Sequence, residues 1–209
     1  MLFFGHIGIT AGVIKAGGFL QSRIKPDDGR QPGFESEVGT VFDRARWYLH
    51  RWLGGIRSRI SSVDYRIVLL GSLLPDIIDK PLWFFIGDDT PLSGRDYSHT
   101  LLFNLVLLIG GLVLLKYRRA WLLILSLSSF MHLIFDEMWN HPVTIFWPLL
   151  GPLLEGETVG WFSSMFQALF SHPGTYVPEI IGLVIMLLFA YRLVVKKRVF
   201  TFIRRGVVE

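Results

Sequence analysis

Six ionisable side chains interrupt stretches of this chain that are otherwise apolar enough for a lipid bilayer. They are three histidines and three aspartates: His6, Asp76, Asp79, His99, His132 and Asp136. An ionisable group at the centre of a bilayer costs about 2.5 kcal/mol or more, so such groups are usually kept for a function. Imidazoles and carboxylates together are also a ligand set for divalent metal ions. The six residues therefore indicate a functional site inside a membrane protein.

Composition supports a membrane protein. Of the 209 residues, 51% are hydrophobic and only 18% are charged, against about 25% charged in soluble domains. The length suggests one domain, residues 1–209. The absence of cysteine excludes thiolate metal sites, cysteine nucleophiles and disulfides. The net charge of +4 is compatible with nucleic acid, but the placement of the charges favours a membrane surface, so we expect no nucleic-acid partner.

The apolar segments predict an all-α fold, a polytopic bundle of about five transmembrane or half-membrane helices. A spanning helix needs about 20 apolar residues. The clearest candidates are residues 99–115, 120–139 and 177–195. Residues 68–86 are long enough, but prolines and charges interrupt them and predict two half-helices. Residues 2–20 are the weakest span, and without a cleavage site they are expected to be retained rather than removed as a signal peptide.

The basic residues predict the orientation. Of the 21 lysines and arginines, 18 fall in residues 23–66, 116–119 and 192–205. Cytoplasmic loops are rich in such residues. A five-span topology in the inner (plasma) membrane, with the N-terminus outside and the C-terminus in the cytoplasm, puts all 18 on one side. The same topology puts the His and Asp residues of four segments near the extracytoplasmic face.

Two further segments are predicted to lie at the membrane interface. Within a cytoplasmic loop (residues 21–65), residues 43–60 place Trp, Leu and Ile among arginines. This pattern is typical of an amphipathic helix that lies on anionic lipid or docks on the protein. On the outer side, residues 138–176 are apolar but rich in Pro and Gly, which predicts a re-entrant or interfacial segment, either a cover over the site or ordinary packing.

The spacing of the six residues favours a metal site. His132 and Asp136 are four residues apart and share one helix face, as do Asp76 and Asp79, which are three apart. Two neighbouring carboxylates raise each other's pKa unless a cation holds them, so at least one of Asp76 and Asp79 is expected to be a ligand. Which of the two remains open.

Each of these residues also has a structural alternative. A buried histidine can simply bond a carbonyl, and an aspartate can end a helix in the headgroup layer. Ser98 is a predicted N-cap for the helix that follows His99. His50 lies on the cytoplasmic side and is excluded, while His141 and His172 are either accessory ligands or exposed.

The order of these motifs resembles a known family. It begins with an N-terminal His, continues with Leu-Pro-Asp-x-x-Asp at residues 74–79 and Ser-His-Thr at 98–100, and ends with His-x-x-x-Asp at 132–136. It is similar to the YdjM-like, LexA-regulated, membrane-bound metal-dependent hydrolases, a family distantly related to the zinc-dependent phospholipase C and S1/P1 nuclease group. The resemblance covers residues 6–136.

The resemblance implies a zinc site. One ion would take Asp76 or Asp79 together with His99, His132 and Asp136, and a second would take His6 and share Asp136. The soluble enzymes also use a His-x-x-x-Glu pair and the terminal amine of a processed chain. No His-x-x-x-Glu occurs here, so we expect one or two ions and no third, with Zn²⁺ as the expected metal and another divalent ion as the alternative.

The leading hypothesis is a membrane-embedded metal-dependent hydrolase that cleaves a phosphoester of a lipid or another amphiphile. Zinc would activate a water, Asp76, Asp79 and Asp136 would be the catalytic carboxylates, and Lys80 and Arg95 would bind the phosphate. The alternatives are a small ion- or proton-coupled transporter and a scaffold whose helices are held together by the metal.

Overall fold

The computed structural model describes residues 3–23, 48, 63–86, 94–152 and 161–208. In these residues the chain forms eight α-helices and no strand, which confirms the predicted all-α class. The helices are α1 (Phe3–Arg23), α2 (Tyr65–Ile86), α3 (Leu101–Lys116), α4 (Trp121–Phe135), α5 (Pro142–Ile145), α6 (Trp161–Ser171), α7 (Pro173–Val195) and α8 (Val199–Arg205). A 3₁₀ turn, Met138–Asn140, separates α4 from α5. The predicted amphipathic helix at 43–60 lies outside the described residues apart from Tyr48.

Among the described helices, α7 alone is both long and apolar enough to cross a membrane. The spans predicted at 99–115 and 120–139 are helices of 16 and 15 residues, which at 1.5 Å per residue are about 24 Å long, short of a ~30 Å bilayer core. They are shorter than predicted because Thr100 caps the start of α3 and Asp136 caps the end of α4. The extra predicted residues form loop and 3₁₀ turn instead.

The prediction of two half-helices at 68–86 is wrong. Helix α2 is continuous through Pro75 and Pro81. A proline removes one backbone donor, and neighbouring side chains can satisfy the carbonyls near it. Neither proline removes the intrahelical donor of the Ser72 or the Pro75 carbonyl, but both carbonyls also bond other segments: Ser98 Oγ donates to the Pro75 carbonyl at 2.8 Å, and His132 Nδ1 lies 2.8 Å from the Ser72 carbonyl. The polar residues that interrupt the hydropathy pattern are thus held by contacts with other helices.

Small residues bring the helices close together. Helix α4 packs between α2 and α3, and α1 packs between α2 and α7. A Cβ on Gly8 would lie 2.0 Å from the Gly182 carbonyl oxygen, and one on Gly71 would lie 2.6 Å from that of Leu125. Small residues at such contacts are typical of membrane helix pairs. The close approach leaves the polar faces of α1, α2 and α4 directed at one another.

The C-terminal helix is attached to the start of α2. Tyr65 N donates to the Gly206 carbonyl at 2.8 Å, and Arg66 Nη1 donates to that of Ile203 at 2.8 Å. Arg66 also bonds Asp64 through its side chain, which lowers the pKa of that carboxyl below its usual range. These contacts connect α8 to the end of α2 remote from the six residues.

Candidate metal centre

All six predicted residues meet in one buried cluster. Helix α1 supplies one, α2 two, the loop before α3 one and α4 with its C-cap two: His6, Asp76, Asp79, His99, His132 and Asp136. The three histidines and Asp79 are fully buried. Four separate helical segments therefore converge on one point, as the sequence predicted.

Two imidazoles face each other at the centre of the cluster. His132 Nδ1 lies 2.8 Å from the Ser72 carbonyl, which can only accept, so Nδ1 carries the proton. His99 Nδ1 lies 2.7 Å from Asp79 Oδ2 and donates to that carboxylate. In the neutral rings both Nε2 atoms then carry lone pairs, and they lie 3.3 Å apart. Such lone pairs repel each other unless a cation, either a metal ion or a proton, lies between them.

Two carboxylates border this pair of nitrogens. Asp76 Oδ1 lies 3.7 Å from His99 Nε2 and 3.8 Å from His132 Nε2. Asp136 Oδ2 lies 3.8 Å from His132 Nε2, while its Oδ1 bonds His6 Nε2 at 3.0 Å. The His6 ring stacks on His132 with centroids 4.0 Å apart. Carboxylate oxygens and a third imidazole thus surround the two Nε2 atoms of His99 and His132.

Two groups of three residues can hold a metal ion: Asp76, His99 and His132, and His6, His132 and Asp136. An imidazole nitrogen has one lone pair, so His132 can serve only one ion at a time. With zinc–nitrogen bonds of about 2.0–2.1 Å, tetrahedral ligand atoms lie about 3.3–3.4 Å apart. The separation of 3.3 Å between the two Nε2 atoms matches this value, so the residues fit zinc.

Asp79 lies behind His99 rather than beside Asp76. Besides His99 Nδ1, its carboxylate accepts the backbone N–H groups of Asp96 at 2.8 Å and Ser98 at 3.2 Å. A carboxylate bonded to the outer nitrogen of a histidine fixes the tautomer and orientation of the ring. The geometry therefore distinguishes the two aspartates that the sequence left equivalent.

Two cations lie on the exposed side of the carboxylates. Lys80 Nζ bonds Asp76 Oδ2 at 2.6 Å, and Arg95 Nη2 lies 3.3 Å from Asp136 Oδ2. Their side chains are 37% and 44% exposed, whereas those of the two aspartates are 15% and 3% exposed. Each aspartate thus has one oxygen near an imidazole and one oxygen beside a partly exposed cation.

The loop that carries His99 is fixed by its own hydrogen bonds. The predicted N-cap, Ser98, is wrong by two residues: Thr100 caps α3, and its Oγ1 accepts from Phe103 N at 3.1 Å. Ser98 instead donates to Pro75, because its hydroxyl is directed towards α2. Asn104 Nδ2 donates to the Ser98 and Thr100 carbonyls.

Sequence reasoning did not identify several supporting residues. Asn104, which also accepts from Ser129 Oγ at 2.8 Å, is a lone amide in an apolar helix. Glu179 is a lone carboxylate in α7, buried to 7% exposure. The rule that marked the six residues, a polar group in a membrane segment, would have found both. His141 and His172 are exposed helix caps outside the cluster, and His50 lies outside the described residues.

A protein-family model described as YdjM inner membrane protein matches residues 45–200. No curated protein and no solved structure matches the chain. Five of the six cluster residues lie within the matched range, and His6 precedes it. The chain therefore belongs to the YdjM inner membrane protein family.

Proposed function

We propose that this member of the YdjM inner membrane protein family is a membrane-embedded, zinc-dependent hydrolase that cleaves a phosphoester of a lipid or another amphiphile. The observation that carries the proposal is the pair of His99 and His132 Nε2 atoms, 3.3 Å apart, with both Nδ1 protons already donated elsewhere. A metal ion between the two nitrogens would remove the repulsion of their lone pairs, as a proton would, and the neighbouring carboxylates are suitable further ligands for a metal.

The residues divide into distinct roles. Asp76, His99 and His132 hold the first ion, and Asp79 orients His99. At one zinc per chain, His6 holds Asp136 in place through the 3.0 Å contact, and Asp136 Oδ2 accepts a proton from the attacking water. At two zincs per chain, His6 and Asp136 are ligands of the second ion. When bound, zinc lowers the pKa of a coordinated water towards about 7 and stabilises negative charge on phosphoryl oxygens.

Lys80 and Arg95 are the proposed phosphate-binding residues. Both reach the outer oxygens of the ligand carboxylates and are partly exposed. A phosphate that approaches from solvent on the side of Lys80 and Arg95 would contact these two cations before it reaches the buried imidazoles. Positive side chains placed beside a transferring phosphoryl group stabilise the charge that develops there.

Exposed apolar side chains in the segment that follows Asp136 support an amphiphilic substrate. Trp139, Phe146, Leu149 and Leu150 follow Asp136 in the chain and are 58%, 43%, 84% and 56% exposed. Trp147 contacts Tyr97, two residues after Arg95, with ring centroids 5.5 Å apart. Exposed apolar groups beside a polar site are typical of surfaces that bind lipid or other apolar ligands. We therefore expect the substrate to carry an apolar chain next to its phosphate.

Metal content and activity test this function together. Protein purified in detergent is analysed for metal by mass spectrometry as wild type, His132→Ala, Asp136→Ala and the matched surface control His172→Ala. We expect one to two zincs per chain in the wild type and the control. His132→Ala should lose its zinc, and Asp136→Ala should retain at most one.

The zinc-loaded proteins are then assayed on phosphoesters that share a headgroup but differ in whether they carry acyl chains. Hydrolysis of the acylated substrate, lost on chelation and in both site variants, is the expected result. Wild-type protein that binds zinc but cleaves neither substrate would contradict the proposed hydrolase function.

One observation favours an ion- or proton-coupled transporter as a second candidate. Buried polar side chains continue inward from the site along α3 and α4, from Ser129 and Asn104 to Ser126. One turn further, Leu123 is buried and its backbone lies against Gly111. In the described residues this polar path therefore stops inside α4.

Zinc-dependent proton or metal flux in proteoliposomes would identify a transporter. Protein that binds zinc but shows neither flux nor hydrolysis would identify a scaffold whose helices are held together by the metal.

A further inference from the structure

A buried carboxylate of α7 binds the start of α1. Glu179 Oε2 accepts the Phe4 N–H at 2.8 Å, and Oε1 accepts the Gly5 N–H at 3.0 Å. Helix α1 begins at Phe3, so these donors belong to its first turn and have no acceptor within the helix. A negative charge is also favoured at the positive end of the helix dipole. Glu179 thus caps α1, although Glu179 and Phe4 are separated by 175 positions in the chain.

The same helix pair is in contact just beyond this cap. A Cβ added to Gly8 would lie 2.0 Å from the Gly182 carbonyl oxygen, and one added to Gly182 would lie 2.0 Å from that of Phe4. Backbone contacts of this kind cannot yield as flexible side chains do. Glu179 and Gly182 therefore fix α1 on both sides of His6.

His6 reaches the candidate metal centre only through the position of α1. Its Nε2 lies 3.0 Å from Asp136 Oδ1, and its ring stacks on His132 at 4.0 Å. A shift of α1 by one ångström would break the hydrogen-bond geometry and separate the rings.

We propose that Glu179 is a positioning residue for the metal centre, which holds His6 against Asp136 and His132 by capping the first turn of α1. The inference rests on the second ion of the proposed zinc site, which His6 and Asp136 would hold, but not on hydrolysis. Helix α7 thereby becomes part of the site although it supplies no residue to the cluster. Removing the cap should lower zinc affinity without removing any ligand.

Zinc affinity, measured by competition with a chromogenic chelator, tests the proposal. Loss of a residue that supports a metal ligand typically costs 10–100-fold in metal affinity. We expect Glu179→Ala to weaken binding of the second zinc, the one that His6 would hold, by about tenfold, at the lower end of that range. Glu179→Gln, which keeps one acceptor oxygen, should weaken it less.

A double-mutant cycle separates positioning from general damage. If Glu179 acts through His6, the substitution Glu179→Ala should cause no further loss of affinity in a His6→Ala background. Phe189→Ala is the matched control on α7, because Phe189 contacts Tyr65 and Lys15 away from the site. It should lower the Tm but leave the zinc affinity unchanged.

Each alternative result has a definite meaning. Unchanged affinity in Glu179→Ala, or losses that add fully in the double variant, would overturn the positioning role. Wild-type protein that binds only one zinc would overturn the positioning role alone, and protein that binds none would overturn it together with the proposed function. Zinc-binding protein that hydrolyses nothing would overturn the function alone, and the affinity cycle would still decide the role of Glu179.

Discussion

At the scale of single residues, Asp79 offers the sharpest test of the centre. It contacts His99 Nδ1 at 2.7 Å and belongs to neither group of three that can hold a metal. We expect Asp79→Asn to weaken zinc binding about 10–100-fold, because the ring of His99 loses the carboxylate that orients it. Asp76→Asn should lose the metal altogether.

Glu137→Gln is the matched control, since Glu137 is an exposed neighbour of Asp136 and should leave the affinity unchanged. Chelator competition on the three variants measures the difference. Equal losses in Asp76→Asn and Asp79→Asn would contradict the assignment of separate roles.

The sequence is sufficient to select the residues of the candidate cluster, but not to assign each of them a role. A charged or imidazole group in an apolar segment is conspicuous, so His6, His99 and His132 could be selected by their surroundings. Asp76 and Asp79 share a helix face, and periodicity cannot tell which carboxylate points at an ion and which at a histidine. That distinction depends on the loop at Gly94–Thr100, whose path no local pattern specifies.

At the scale of helices, the contact between α1 and α7 predicts opposite effects for two glycines of one helix. A Cβ at Gly8 meets the Gly182 backbone, whereas one at Gly17 has nothing within 4 Å. Gly8→Ala should force the helices apart and lower both the Tm and the zinc affinity. Gly17→Ala should leave the affinity unchanged and stabilise the helix by about 0.5–1 kcal/mol. Thermal unfolding in detergent compares them, and equal Tm values for the two variants would contradict the close contact.

The last apolar span of the sequence predicts a helix with nearly correct boundaries. The predicted span 177–195 lies within α7, Pro173–Val195. The prolines and aspartates of α2 predict breaks, but the helix continues through them, and Ser98 and His132 bond two of its carbonyls from outside. The residue pattern of a single segment cannot predict tertiary hydrogen bonds of this kind.

At the scale of the whole molecule, the membrane topology remains a prediction that the absence of cysteine makes easy to test. Single cysteines at Tyr117, in the turn after α3, and at Trp139, beside the cluster, are both expected at exposed positions. With the basic residues on the cytoplasmic side, a membrane-impermeant thiol reagent added to intact cells should label Trp139→Cys and spare Tyr117→Cys. Labelling of Tyr117→Cys alone would reverse the orientation.

The cap between Glu179 and the start of α1 also has a consequence for the order of events during synthesis. A ribosome that has made Phe4 must add 175 further residues before Glu179 exists. At 5–20 residues per second this takes roughly 9–35 s. During that interval the chain contains His6 and the rest of α1, but not Glu179, the residue that caps the start of this helix. The candidate metal centre therefore lacks the cap on α1 until α7 has been synthesised, 175 residues after Phe4.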